Sequence, residues 1–232
     1  MKLAIMQPYI FPYLGYFQLI NAVDRFIVYD DVNFINKGWI NRNSILVDNK
    51  SFTFTIPLIE ASQNRPINEI ELVEGDKWRD KLLRTIEHSY KKSPNFSDAY
   101  SLITGVIKSD ITYISQLAIL SLKTVCNYLN ILTKFIDSSG IYENRHLKGQ
   151  MRILSICEKE AASQYINPIG GLELYSRELF EMERIKLNFL KSNDIFYKQY
   201  DSEFVPNLSI IDVLMFNSRD AIRKKLDLFE LI

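Results

Sequence analysis

The chain has 232 residues, 47% of them hydrophobic and 24% charged, with 28 Lys and Arg against 28 Asp and Glu. A chain of this length buries roughly 70% of the surface it exposes when unfolded, which excludes intrinsic disorder and any need for a disulfide or metal staple. Zero net charge removes the simplest argument for a nucleic-acid coat or an anionic membrane partner, although a local basic patch is compatible with a neutral total.

The apolar run Lys2–Met6 stops at Gln7 and Pro8, too short for a signal-peptide core or a spanning helix, so it reads as a strand in a cytoplasmic protein. A loop over residues 9–15 leads into a helical pattern at Tyr16, Leu19, Ile20 and Val23. Residues 25–29 give a second strand closed by Asp30 and Asp31. Residues 32–43 have no clean period and carry Asn33, Lys37, Gly38, Trp39, Asn41, Arg42 and Asn43, as a functional loop does. Segments 44–47 and 51–56 flank the turn pair Asp48-Asn49 and predict a β-hairpin. Residues 67–73 predict a further strand. Helices follow over residues 76–91, 94–107 and 111–130, the last with an apolar stripe. The chain then alternates: strand 132–136, helix 148–160, strand 164–166, a helix near 177–183 and strand 185–189. Two helices follow within 208–228, the first capped by Ser209. Cys126 and Cys157 each sit in an apolar stretch and read as buried reduced thiols.

Short apolar strands separated by helices predict a three-layer α/β fold. Its mostly parallel sheet has about five strands, with a hairpin and a helical insertion at about 76–130 in a single domain over 1–232. Parallel connections bring strand carboxyl ends to one edge, where ligands bind. That edge collects Gln7, Gly15 and Tyr16 from the first loop, Asp30, Asp31, Asn33, Lys37, Asn41 and Arg42 from the second, and Ser138, Ser139, Gly170 and Gly171 from later ones. Paired carboxylates suit Mg²⁺ or an ammonium group, and Lys37 and Arg42 suit phosphate. On that placement Asp31→Asn removes ligand binding and leaves folding almost unchanged. Each element also has a plain structural role: Asp-Asp is a common turn or cap, and Gly-Gly without Lys-Ser/Thr is no P-loop. Arg152 reads as a solvated helix residue, and His88 as a favourable group at a helix end. His146 lies outside any recognisable catalytic or metal-ligand spacing.

The segment from Gln7 through Pro8, Tyr9, Ile10, Phe11, Pro12, Tyr13, Leu14 and Gly15 to Phe17, followed by Asp30 to Phe34 and Trp39 to Asn43, resembles the WbqC-like family of bacteria. Ser138-Ser139, Arg152, Tyr165, Gly170-Gly171, Tyr197 to Gln199 and Phe204 to Leu214 extend the resemblance over nearly the whole chain. Two positions depart from the family's spelling: Asn33 stands where Gln is expected, and Asn167-Pro168 where a Ser-Gly-like turn is more usual. The first loop is also similar, distantly, to the Rossmann-like adenylate-forming nucleotidyltransferases, including pantothenate synthetases. Their two histidines are absent here, and with them donors for phosphate charge.

The family resemblance implies a role in O-antigen, lipopolysaccharide or other surface-polysaccharide biosynthesis. The implied activity is a transferase or ligase that acylates a nucleotide-linked amino sugar with glycine or a similar small amino acid. In it Asp30 or Asp31 holds an amine, and Lys37 and Arg42 hold phosphate. An acyl-adenylate route needs ATP and Mg²⁺; an aminoacyl-tRNA donor needs neither bound here. The alternative is a sugar-nucleotide binding or scaffold protein without chemistry.

Overall fold

The computed structural model describes residues 1–200 and 203–232. Its strands are β1 (Lys2–Met6), β2 (Arg25–Val28), the hairpin β3 (Arg42–Val47) and β4 (Lys50–Thr55), β5 (Lys134–Ile136), β6 (Gln164–Pro168), β7 (Lys186–Ser192) and β8 (Phe229–Leu231). All but the hairpin form one six-stranded sheet in the order β5-β2-β1-β6-β7-β8. Every pairing in it is parallel except that of β8 with β7. The helices are α1 (Leu14–Asn21), α2 (Lys77–Tyr90), α3 (Phe96–Ile107), α4 (Ile114–Leu129), α5 (Gly149–Lys159), α6 (Arg177–Met182), α7 (Ile210–Phe216) and α8 (Arg219–Lys225).

The strands read as nearly continuous apolar runs because both faces of the sheet are covered. Successive side chains alternate between faces. Leu3, Ile5, Ile27, Tyr165, Leu187 and Phe189 therefore pack with Ile153, Leu154, Ile156 and Cys157 of α5 and Phe180 of α6. Ala4, Phe26, Val28, Ile166 and Leu190 point the other way, into a larger core with α1, the α2–α4 helices, α7, α8 and the hairpin. These are the three layers expected. Both cysteines are buried and free, and burial pushes each thiol up to about 12.

The hairpin turn is built on positive φ at both Asp48 (48°) and Asn49 (59°), the backbone that a tight two-residue turn between twisted strands requires. The Ser209 hydroxyl accepts from the amide of Ile211 at 3.2 Å, capping α7. Residues 67–73 are a correction: they form a 3-10 turn, Ile67–Glu69, and only isolated bridges beyond it, Leu58 with Leu72 and Glu71 with Tyr113. The segment is held instead by the loop after β2, where Ile67 and Asn68 amides donate to the carbonyls of Val32 and Asp30. The sheet also has a sixth strand, β8, where the sequence predicts about five.

The order of strands locates the crevice. From β1 the chain steps outward to β2 and β5, then returns to β6 on the other side of β1 and steps outward again to β7. Helices α1 and α5 belong to opposite cores. The connections therefore diverge between the carboxyl ends of β1 and β6, the position at which open α/β sheets bind ligands.

Candidate functional site

Four loops meet at the carboxyl edge: those after β1, β2, β5 and β6. The β2 loop supplies Asp30 and Asp31, each only 4% exposed. The β5 loop places a serine against each acid. The Ser138 hydroxyl donates to Oδ1 of Asp30 at 2.7 Å, and the Ser139 hydroxyl donates to Oδ1 of Asp31. The sequence places these four residues at one edge, and they form a single hydrogen-bonded cluster.

Four residues not assigned to the site complete the cluster: Arg152, Asn144, Tyr29 and Arg145. Arg152, 3% exposed in the first turn of α5, sets Nη2 2.7 and 2.6 Å from the two carboxylate oxygens of Asp31. Its Nε donates to Asn144 Oδ1 at 3.0 Å, and its guanidinium lies 4.7 Å from the centroid of the Tyr29 ring. Arg145, half exposed, approaches Asp31 to 3.6 Å. Arg152 is thus a buried partner rather than a solvated helix residue, because the negative charge of Asp31 compensates its desolvation.

The two acids consequently differ. Asp31 is neutralised by arginine, while Asp30 makes no ion pair among the described residues and takes only neutral donors. Burial raises the pKa of Asp30 above the usual carboxylate value; the Ser138 hydroxyl opposes this, the Asp31 charge adds to it, and backbone amides of Asp30 and Ser139 oppose it again. The pair is a poor fit for Mg²⁺, since Arg152 occupies both oxygens of Asp31. Among the described residues no group of three or more His, Cys, Asp or Glu side chains is arranged to hold a metal ion.

The remaining predicted residues make contacts of their own. The Tyr16 hydroxyl, buried, donates to the Gln7 carbonyl at 2.6 Å and fixes the turn out of β1. Arg42 donates from Nε to the Gly38 carbonyl at 2.8 Å and from Nη2 to the Lys37 carbonyl, and its guanidinium sits 5.3 Å from the Trp39 ring centroid. Lys37 has φ of 59° and an exposed side chain. Asn41 donates to the Ile56 carbonyl at 2.8 Å, and Asn33 is exposed in a bridge with Pro66. Gly170 is exposed; Gly171 is buried, and a Cβ on it would meet Nδ2 of Asn167, whose side chain would have to move.

The loops after β1 and β2, with the tail, enclose a cavity of about 340 Å³ lined by Tyr9, Pro12, Tyr13, Trp39, Asn43 and Asn207. Asn43 shapes its floor, donating to the carbonyls of Ile10 at 3.1 Å and Phe11 at 2.7 Å. A second cavity of about 480 Å³ shares Tyr13 and Asn207 and is lined by Gly15, Asn193, Tyr197 and Phe204. Aromatic walls with amide groups at the rim suit a sugar or base ring.

A buried carboxylate outside the edge, Asp212, accepts from the hydroxyls of Tyr90 at 2.8 Å and Tyr197 at 2.7 Å and from Nε2 of Gln199 at 2.8 Å. Burial raises its pKa, and those three donors oppose the rise.

Comparison with known proteins agrees with the motifs at this edge. The chain is 29% identical over 219 residues to the uncharacterized protein Rv1507c of Mycobacterium tuberculosis, the match covering 93% of each chain. No solved structure gives a significant match. Among the described residues no helix is long and apolar enough to cross a membrane. Residues 7–224 match the WbqC-like protein family, and the chain belongs to that family.

Proposed function

We propose that this protein acylates a nucleotide-linked amino sugar with glycine or a similar small amino acid, in the cytoplasm, for bacterial surface-polysaccharide biosynthesis. Family membership supports the setting; the observation that carries the chemistry is Asp30. Amide formation requires the acceptor amine to lose a proton as its nitrogen attacks the acyl carbonyl. The C–N bond forms, the bond to the leaving group breaks, and a nearby base takes the proton. Asp30 is a buried carboxylate with only neutral partners and a raised proton affinity, the properties that role calls for.

In this reading Asp31 and Arg152 form an ion pair that holds Ser139, and the carboxylate of Asp31 adds to the raised proton affinity of Asp30. The ring cavity of Tyr9, Tyr13 and Trp39 takes the sugar or base, and Arg42, stacked on Trp39, and Lys37 of the same loop take phosphate oxygens. The acyl donor is an acyl-adenylate made from ATP, with AMP leaving, or an aminoacyl-tRNA, with the tRNA 3′ end leaving.

The test is incubation of the purified protein with amino-sugar nucleotides and each donor, followed by mass measurement of the product. A product heavier by one aminoacyl group, absent with Asp30→Asn, supports the reading. The competing reading, a sugar-nucleotide binding protein without chemistry, is favoured by both edge serines being spent on carboxylates. It would show ligand-dependent thermal stabilisation with no product from any donor.

A further inference from the structure

Zero net charge conceals one strongly one-sided surface. Helix α2 carries Lys77, Lys81, Arg84 and His88 at positions i, i+4, i+7 and i+11, which at 100° per residue fall within an arc of about 60°. All four side chains are exposed. They line one wall of a groove of about 550 Å³ whose other wall is the hairpin turn at Val47 and Asp48. His88 continues into a neighbouring cavity of about 350 Å³ that Lys91, Lys92 and the Tyr200 ring also line. None of Lys77, Lys81, Arg84 and His88 makes an ion pair among the described residues; the N-cap acid Asp76, and Asp80, which flanks the row one turn before Arg84, are bound to Lys108. Among the described residues Asp48 is the one acid lining the groove, across from Lys77, Lys81, Arg84 and His88.

From this groove we infer an RNA-binding surface that takes the phosphate backbone of a tRNA. Lys77, Lys81 and Arg84 span about 10 Å along the helix at 1.5 Å per residue and His88 extends the row to about 16 Å, longer than the diphosphate of one sugar nucleotide and suited to several successive phosphates of a strand. The groove is concave, between a helix and a hairpin tip, and this shape receives a strand where a lipid surface has no access.

The position also fits the donor question left open above, on which this part of the inference rests. Strand β3 runs directly from the groove, at Val47, to the ring cavity, at Asn43. At about 3.3 Å per residue that separation is roughly 13 Å, a length that a few unpaired nucleotides at an RNA 3′ end cover. With the backbone in the groove, the aminoacyl ester reaches the edge where Asp30 lies. There the sugar amine attacks the ester carbonyl, the C–N bond forms, the ester C–O bond breaks, and the tRNA 3′ hydroxyl leaves carrying a proton.

The experiment is fluorescence polarisation of labelled, unacylated tRNA with the full chain across a salt series. It compares the wild type with Lys81→Glu/Arg84→Glu and, should that pair unfold, with Lys77→Gln/His88→Gln. Expected is binding whose log K falls with log salt, a loss of at least tenfold in the charge-reversed variant, and a salt slope shallower by about two. An unchanged thermal midpoint shows that the variant is folded. No tRNA binding, equal binding by the variants, or binding of phosphatidylglycerol vesicles in place of tRNA overturns the inference. tRNA binding without product formation supports it while contradicting the proposed reaction; product from glycine and ATP with no tRNA binding does the reverse.

Discussion

Arg152 and Asp31 stand 121 residues apart in the chain, and one guanidinium nitrogen of Arg152 lies within 2.7 Å of both carboxylate oxygens of Asp31. The pair ties the loop after β2 to the first turn of α5, and so joins the two halves of the sheet across its carboxyl edge. Removing one partner leaves a buried charge without compensation. Arg152→Leu is expected to lower unfolding stability by about 3–5 kcal/mol, read from chemical denaturation, and Asp31→Asn to lower it in the same direction. This replaces the near-neutral stability effect that the sequence alone predicts for Asp31→Asn.

Asp30 behaves oppositely because no cation pairs with it among the described residues. Its folded pKa is raised, so the native state holds the proton more tightly than the unfolded chain does. Its contribution to stability is therefore present below the unfolded carboxylate pKa and is lost as pH rises through the folded value. Asp30→Asn, which removes that titration, should gain stability relative to the wild type as pH rises above the ordinary carboxylate value, read as the difference in thermal midpoints. Activity should run the other way, falling in acid as Asp30 takes up its proton.

Asp212 joins α2, α7 and the segment at residues 197–199 through three neutral donors. Asp212→Ala leaves the Tyr90 and Tyr197 hydroxyls without their acceptor in the interior, while Nε2 of Gln199 keeps the Val205 carbonyl at 3.1 Å, and a stability loss of about 3 kcal/mol is expected in urea denaturation. A loss under 1 kcal/mol would mean that water replaces the carboxylate.

Trp39 is 46% exposed and packs between the ring cavity and the Arg42 guanidinium. Trp39→Ala should therefore leave the thermal midpoint within about 0.5 kcal/mol equivalent of the wild type. Calorimetric affinity for an amino-sugar nucleotide should fall at least tenfold. Unchanged affinity would place the sugar nucleotide elsewhere.

The fold was legible where local chemistry and global packing agree. Apolar runs ending in Gln7-Pro8, Asp30-Asp31 and Ser138-Ser139 mark strands and their edge; Asp48-Asn49 marks the turn, and Ser209 marks the cap. The meeting of Asp30 and Asp31 with Ser138 and Ser139 follows from parallel connections alone. Arg152 was not legible as a buried ion-pair partner, because a charged residue on a helix looks solvated until a distant partner is known. Nor was the ring cavity, whose wall takes Asn207 from the tail, since no periodicity links that residue to Tyr13 and Trp39. Residues 67–73 have the apolar content of a strand but bond to a loop, and β8 is too short to carry a pattern.

The central claim is that Asp30 accepts a proton while an amino sugar is acylated. The most direct measurement is the mass of an amino-sugar nucleotide after incubation with the wild type or Asp30→Asn, using glycine with ATP and Mg²⁺ in one arm and glycyl-tRNA in the other. The account predicts addition of one glycyl group by the wild type in one of the two arms, and a loss of at least a hundredfold in rate for Asp30→Asn, whose thermal midpoint shows it folded. Glycylation by Asp30→Asn at the wild-type rate, or no glycylation by the wild type in either arm while the sugar nucleotide still binds, would contradict it.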